Sequence, residues 1–277
     1  MAIVNQFKTL VLLSALTALL MWFGSLFGRI GLIIGLLIAI SINVGSYWFS
    51  DKLVLKMYKA KEINSNENLY KMIEGVAVSA NLPMPKVYII PSEQPNAFAT
   101  GRNPNHSAVA FSKGILQLLN DDELIGVAAH ELAHIKNRDT LITTIAATIG
   151  GVITYMANVA QWAMIFGGSQ SEDGQHLVSM IFMIIVAPIA ATIIQLAISR
   201  SREYLADAKG AKFIGSSAGL ASALEKLQNN STPMNLGNKT TSSLFIKNPL
   251  KSSGWSAMFS THPPMNKRIE KLNNMQL

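Results

Sequence analysis

Asn120-Asp121-Asp122-Glu123-Leu124-Ile125-Gly126-Val127-Ala128-Ala129-His130-Glu131-Leu132-Ala133-His134-Ile135-Lys136 is the stretch on which the reading of this chain turns. Asn120 is a good N-cap residue, and the three acidic residues after it suit the first turn of a helix, where free backbone N–H groups favour negative charge. Glu123, at the third helical position, completes a capping box. Leu124, Val127, Ala128, Leu132 and Ile135 then recur at helical spacing. On such a helix His130 and His134 stand four residues apart, so both imidazoles leave the same face and can share one tetrahedral Zn2+. A carboxylate, Glu131, lies between them. The plainer alternative is two surface histidines on an ordinary amphipathic helix.

A catalytic zinc site needs a third protein ligand, with the fourth position left to water. The chain has no cysteine, so any metal must be held by imidazole and carboxylate. The candidate lies in Ser199-Arg200-Ser201-Arg202-Glu203-Tyr204-Leu205-Ala206-Asp207. Glu203 and Asp207 share a helical face, so Glu203 can bind metal while Asp207 accepts from the outer nitrogen of a ligand histidine. A solvated helix with exposed Arg–Glu pairs is the competing reading. Glu131 is placed to take the proton of a metal-bound water and deliver it to a leaving amine. His262, held extended before Pro263 and Pro264, is a candidate donor to a tetrahedral intermediate, and equally an ordinary loop histidine. His106 and His176 read as solvated.

Only 14% of the 277 residues are charged, and the mean hydropathy is +0.29, too apolar for an ordinary soluble enzyme. Four uncharged runs account for this: Thr9 to Phe27, Ile30 to Phe49, Leu141 to Phe166 and Leu177 to Ile198. Each reaches about the 20 residues needed to cross a hydrocarbon core. The first run is long, lacks a small-x-small cleavage site and is followed at once by the second, so it reads as a retained span. Buried core helices are the alternative for the third and fourth. The net charge of +7 has no continuous basic tract with interleaved aromatics, so nucleic acid is not an expected partner. Lys52, Lys56, Lys59, Lys61, Lys136, Arg138, Arg200 and Arg202 instead flank the runs, while residues 167–176 between the last two carry only acidic charge. The positive-inside rule then puts both termini and the polar segments in the cytoplasm, against an anionic bilayer surface.

The expected organisation is an N-terminal transmembrane hairpin (1–50), a first catalytic half (51–140), a second hairpin (141–198) and a second catalytic half (199–277). The polar halves contain an amphipathic helix over Leu69 to Ala80 and a β-run at Lys86 to Ile90. Two short strands, Asn96 to Gly101 and Ala108 to Ser112, follow around a turn. Further helices are expected at Gly114 to Leu119, Ser199 to Gly215, Ala218 to Gln228 and Pro264 to Met275, with a long loop over Asn229 to Ser260. If the histidine helix and the Glu203 helix both continue into the membrane, their ligands lie at similar heights, on the order of 10 Å from its surface. An extended substrate can add as a strand to an exposed edge at Asn96 to Thr100 or Ala108 to Ser112, with Asn96, Ala97 and Phe98 as contacts.

The order of these features resembles the HtpX family, bacterial membrane-bound zinc endopeptidases related to CAAX prenyl-protein endopeptidases. It comprises two N-terminal spans, Asn96-Ala97-Phe98-Ala99-Thr100-Gly101, His130 to His134, two further spans, Glu203-Tyr204-Leu205-Ala206-Asp207 and Thr261-His262-Pro263-Pro264. The resemblance implies a mainly α integral membrane protein with four transmembrane helices. To these it adds a gluzincin-like α+β catalytic domain with a small edge-exposed sheet, facing the cytoplasm. It implies one Zn2+ per chain held by His130, His134 and Glu203, with Asp207 behind a ligand and Asn96 and His262 at substrate or intermediate. The implied substrates are unfolded or damaged membrane proteins at the bacterial inner membrane. A prenyl-protein processing protease and a non-catalytic zinc-binding scaffold are the alternatives.

Overall fold

The computed structural model describes residues 2–25, 28–146, 149, 152, 200–230 and 263–277. Most of the third apolar run, all of the fourth, the connection with His176, residues 231–260 and His262 lie outside the described residues. Helices α1 (Ala2–Ser25) and α2 (Gly28–Trp48) form the N-terminal hairpin. Among the described residues, two helices, Val4–Ser25 and Gly28–Trp48, are long and apolar enough to cross a membrane. Small residues let the two backbones touch: a Cβ on Gly24 would meet the Gly31 carbonyl oxygen at 2.3 Å, and one on Gly35 the Leu20 oxygen at 2.5 Å. Ile30, Ile33, Ile34, Leu37 and Ile38 on α2 are exposed, as lipid-facing side chains are. On α1 the stripe Leu12, Leu16, Leu19 and Leu20 is buried against Leu141, Ile142, Ile145 and Ile149, at the start of the third run.

Helix α3 (Ser50–Met57) and strand β1 (Lys61–Glu62) follow directly, in a stretch the sequence presented only as a lysine-rich flank. Next come α4 (Asn68–Ser79), β2 (Lys86–Ile90), β3 (Ala97–Asn103), β4 (His106–Ser112), α5 (Lys113–Leu118) and α6 (Asp121–Asn137). The sheet order is β1-β2-β4-β3. Strand β4 runs parallel to β2 and antiparallel to β3, so it is internal, and only β3 of the two candidate edges is one. Gly101 sits at φ +127°, where a Cβ would meet the His106 carbonyl oxygen at 2.2 Å, so the bulge between Gly101 and Asn103 requires glycine.

Alternation along the strands separates the two faces of the sheet. Val87, Ala97, Ala99, Val109 and Phe111 join the main core beneath α6. Ile90, Phe98, Ala108 and Ala110 pack on Val54 and Leu55 of α3 and on Tyr58, which follows it. After the second apolar pair come α7 (Arg200–Ile214), α8 (Ala218–Asn229) and α9 (Met265–Asn273). Leu220, Leu224, Leu227 and Leu272 belong to the same core as Val127, Leu132 and Phe111, so residues from both polar halves build one hydrophobic core around α6.

Candidate metal centre

Helix α6 begins as its sequence dictates. Asn120 accepts from the Glu123 amide at 3.0 Å, and the Glu123 carboxylate accepts from the Asn120 amide at 2.8 Å. Glu123 also accepts from Ser222 Oγ (2.6 Å) and Lys226 Nζ (2.8 Å) of α8. Burial raises the Glu123 carboxyl, but these bonds prevail and hold it below the usual range. Close approach to α7 and α8 depends on glycine. A Cβ on Gly126 would lie 2.5 Å from the Leu220 nitrogen, and one on Gly210 would lie 2.9 Å from the Ala129 carbonyl carbon and the His130 nitrogen. Helix α7 therefore lies directly on the ligand-bearing turn of α6.

That packing brings the three expected ligands together. His130 Nε2 and His134 Nε2 are 3.2 Å apart; Glu203 Oε1 is 3.5 Å from His134 Nε2, and Glu203 Oε2 is 3.7 Å from His130 Nε2. Donors bonded to tetrahedral zinc at about 2.0–2.1 Å stand about 3.3–3.5 Å from one another. The other ring nitrogens are fixed from behind. His130 Nδ1 faces Asp207 Oδ1 at 2.9 Å, and His134 Nδ1 faces Asp139 Oδ2 at 3.1 Å. With both Nδ1–H groups donating to carboxylates, both Nε2 lone pairs point at one place beside a carboxylate, an arrangement that suits a cation. Among the described residues this is the one group of three side chains disposed to hold a metal ion, and the donor set fits zinc.

The electrostatics agree. Burial pulls the His134 imidazole down, yet the Asp139 hydrogen bond and the charges of Glu203, Asp139 and Glu131 outweigh it and raise it to about 9. Glu131 is 5% exposed. Burial, helped by Glu203, raises its carboxyl above the ordinary range against the opposing pull of His130, His134 and the Ala99 amide, which makes it a stronger proton acceptor than a solvated carboxylate.

Two residues that sequence reasoning did not single out complete the cluster. Arg268 on α9 is 1% exposed and grips Asp207 with two bonds, Nε to Oδ2 at 2.8 Å and Nη2 to Oδ1 at 2.6 Å. Its Nη2 is nearly equidistant from both His130 ring nitrogens, 3.4 and 3.5 Å, and so is aimed at neither. Burial raises the Asp207 carboxyl, but Arg268 and His130 together bring it down to about 2. Asp139 is the second. Arg138 takes the left-handed conformation (φ 59°, ψ 35°) and ends α6, and residues 139–146 are helical again. The histidine helix is thus not continuous with the third run, and the expected height match does not apply as drawn; its Glu203 side also rests on residues outside the described ones.

Strand β3 meets the cluster through its backbone. Asn96 O accepts from the Ser112 amide at 2.9 Å, and the alternation of an antiparallel ladder then turns the Ala97 and Ala99 backbone groups away from β4. Consistently, the Ala99 amide donates to Glu131. Asn96 is buried at the head of β3, its amide donating to Ser112 Oγ at 2.8 Å. Phe98 is a correction. Its ring lies on Tyr58 at 5.4 Å between centroids, on the opposite sheet face, and the same alternation turns its backbone toward Ala110. The edge is also not open: Ala97 is 0% and Ala99 6% exposed.

A family model described as peptidase family M48 matches residues 63–276. A protein of Syntrophotalea carbinolica named Protease HtpX homolog is 49% identical over 98% of this chain and 99% of its own length. Proteins of the same name from Aquifex aeolicus and Pyrococcus furiosus are 53% identical over 90% of this chain and 85% of theirs, and 49% identical over 98% and 96%. The crystal structure of S. mikatae Ste24p shares the fold, with a TM-score of 0.52 at 20% identity, covering 98% of this chain and 66% of that one.

Proposed function

The chain belongs to peptidase family M48, and we propose that it is a membrane-bound zinc endopeptidase that hydrolyses peptide bonds of unfolded or damaged membrane proteins at the cytoplasmic face. The observation that carries the reading is the convergence of His130 Nε2, His134 Nε2 and Glu203 on one point, next to the Glu131 carboxylate. High identity to proteins named as proteases, over nearly their whole lengths, supports the activity.

His130, His134 and Glu203 would hold the ion, one per chain. Zinc supplies Lewis acidity toward a carbonyl and acidifies a bound water. Glu131 receives a proton from the attacking water and returns it to the departing amine, and its raised proton affinity suits both steps. The Ala99 amide orients Glu131 from the edge strand. Asp207 and Asp139 keep the ligand imidazoles in the tautomer that leaves Nε2 free. His262 serves as donor to the tetrahedral oxyanion, on the strength of its His-Pro-Pro context. The Ala97 backbone groups and the Ala99 carbonyl, which face away from β4, would pair with an extended substrate once the covered edge is opened.

The flanking lysines and arginines support a multi-pass protein of the cytoplasmic membrane with its active site inside. Glu131→Gln separates this reading from a structural zinc protein. The variant should retain zinc and lose cleavage of an unfolded membrane substrate; undiminished cleavage rejects the role given to Glu131.

A further inference from the structure

A helix that serves only as a membrane anchor has no use for a buried carboxamide, which is costly to bury unless its hydrogen bonds are made. Asn5, in the second turn of α1, is 3% exposed, and its bonds lead to the metal centre. Its Nδ2 donates to Asp139 Oδ1 at 2.8 Å and to the Asn137 carbonyl oxygen at 2.9 Å. The Asn137 carbonyl is one of those left open where α6 ends. The two acceptors flank Arg138, the left-handed residue that turns the chain, so Asn5 closes that turn from outside.

The turn matters because of where it puts Asp139. Five residues along a continuous helix would carry a side chain well away from the face of His134. The break at Arg138 brings Asp139 back, and its Oδ2 meets His134 Nδ1 at 3.1 Å. One carboxylate oxygen therefore holds the ligand histidine while the other is held by Asn5. Among the described residues Arg202 is also near Oδ1, with its Nη1 at 3.9 Å, beyond hydrogen-bond range.

We infer that Asn5 is a positioning residue of the metal centre, acting through Asp139 on His134, so that the first membrane helix is part of the apparatus that binds zinc. The inference rests on the reading of His130, His134 and Glu203 as ligands. Without the Asn5 amide, the Asp139 carboxylate can rotate, and the His134 ring loses the constraint that aims Nε2 at the ion.

The test is the zinc dissociation constant of the purified full-length protein, measured by competition with a chromophoric chelator. Asp139→Asn should weaken binding about 10- to 100-fold, as for other partners that orient a ligand histidine, and Asn5→Ala by a smaller share of that, about 3- to 10-fold. The double variant should bind no worse than Asp139→Asn alone, because both changes cut the same chain. Asn43→Ala removes a hydrogen bond to Thr17 elsewhere in the hairpin and should leave zinc affinity unchanged. If Asn5→Ala does not fold, Asn5→Ser takes its place. Unchanged affinity in the Asn5 variant alongside a weakened Asp139→Asn overturns the proposal. So do effects that multiply in the double variant, or an equal loss in Asn43→Ala. A wild-type protein that binds no zinc, or binds it equally well as His134→Ala, would instead overturn the ligand assignment on which the proposal stands.

Discussion

Replacing Arg268 by methionine should be among the most damaging single changes outside the ligands. The guanidinium is 1% exposed and makes two bonds to Asp207, so its removal leaves a buried carboxylate without its cation. Breaking a buried pair in this way costs about 3–5 kcal/mol. The proton affinity of Asp207 gives a second route to the size. Its carboxyl is held at about 2 rather than the ordinary 3.8, which at about 1.4 kcal/mol per pH unit corresponds to roughly 2–3 kcal/mol, shared between Arg268 and His130. Because that value is depressed, the contribution is complete above about pH 4 and is lost as pH falls through about 2, so at neutral pH the whole of it is at stake. A chain of this size loses roughly 2–4 °C of Tm per kcal/mol, and Arg268→Met should therefore lower Tm by on the order of 10 °C in detergent. Asp207→Asn combined with Arg268→Met should recover part of the loss, since a buried neutral carboxamide needs no cation. A single variant within 2 °C of wild type, or a double variant worse than both singles together, would refute the reasoning.

Zinc binding should depend on pH through His134. In the metal-free protein its imidazolium is favoured up to about pH 9, so the proton contributes stability that is complete below about 6.5 and lost as pH rises through 9. Zinc needs the neutral ring and competes with that proton, so its affinity should climb about tenfold per pH unit from 6.5 to 9 and then level off; a flat profile by chelator competition contradicts this. Gly126→Val pushes a side chain into the Leu220 backbone and should cost about 1–3 kcal/mol by overpacking, read as a lower Tm. Gly75→Ala, in the middle of α4 with open space around the new Cβ, should instead raise stability by about 0.5–1 kcal/mol. The opposite order of the two glycine variants would contradict the packing described.

What could be read from sequence was whatever is carried by short-range spacing. The capping box, the i, i+4 histidines and the i, i+4 pair Glu203 and Asp207 need only the period of a helix, and the structure brings these residues together. Asp139 was illegible because its approach to His134 depends on a left-handed turn at Arg138, and arginine gives no signal for that conformation as glycine or asparagine would. Arg268 did leave a sign. Met265, Arg268, Ile269 and Leu272 fall at i, i+3, i+4 and i+7, and an arginine inside an apolar stripe calls for a buried acid. Strand order lay beyond reach, since the pairing of β2 with β4 across the intervening β3 is long-range, and with it went the distinction between the edge strand and the internal one. Phe98 was misjudged for the same reason: alternation says that neighbours face opposite ways, but only α3 on the far side decides which way is inward.

Anomalous diffraction at the zinc absorption edge, from crystals of the full-length protein, tests the central claim most directly. A single peak about 2.0–2.2 Å from His130 Nε2, His134 Nε2 and one Glu203 oxygen is the predicted result. A peak bound elsewhere, or one at the two histidines with Glu203 turned away and no other carboxylate in its place, would contradict it.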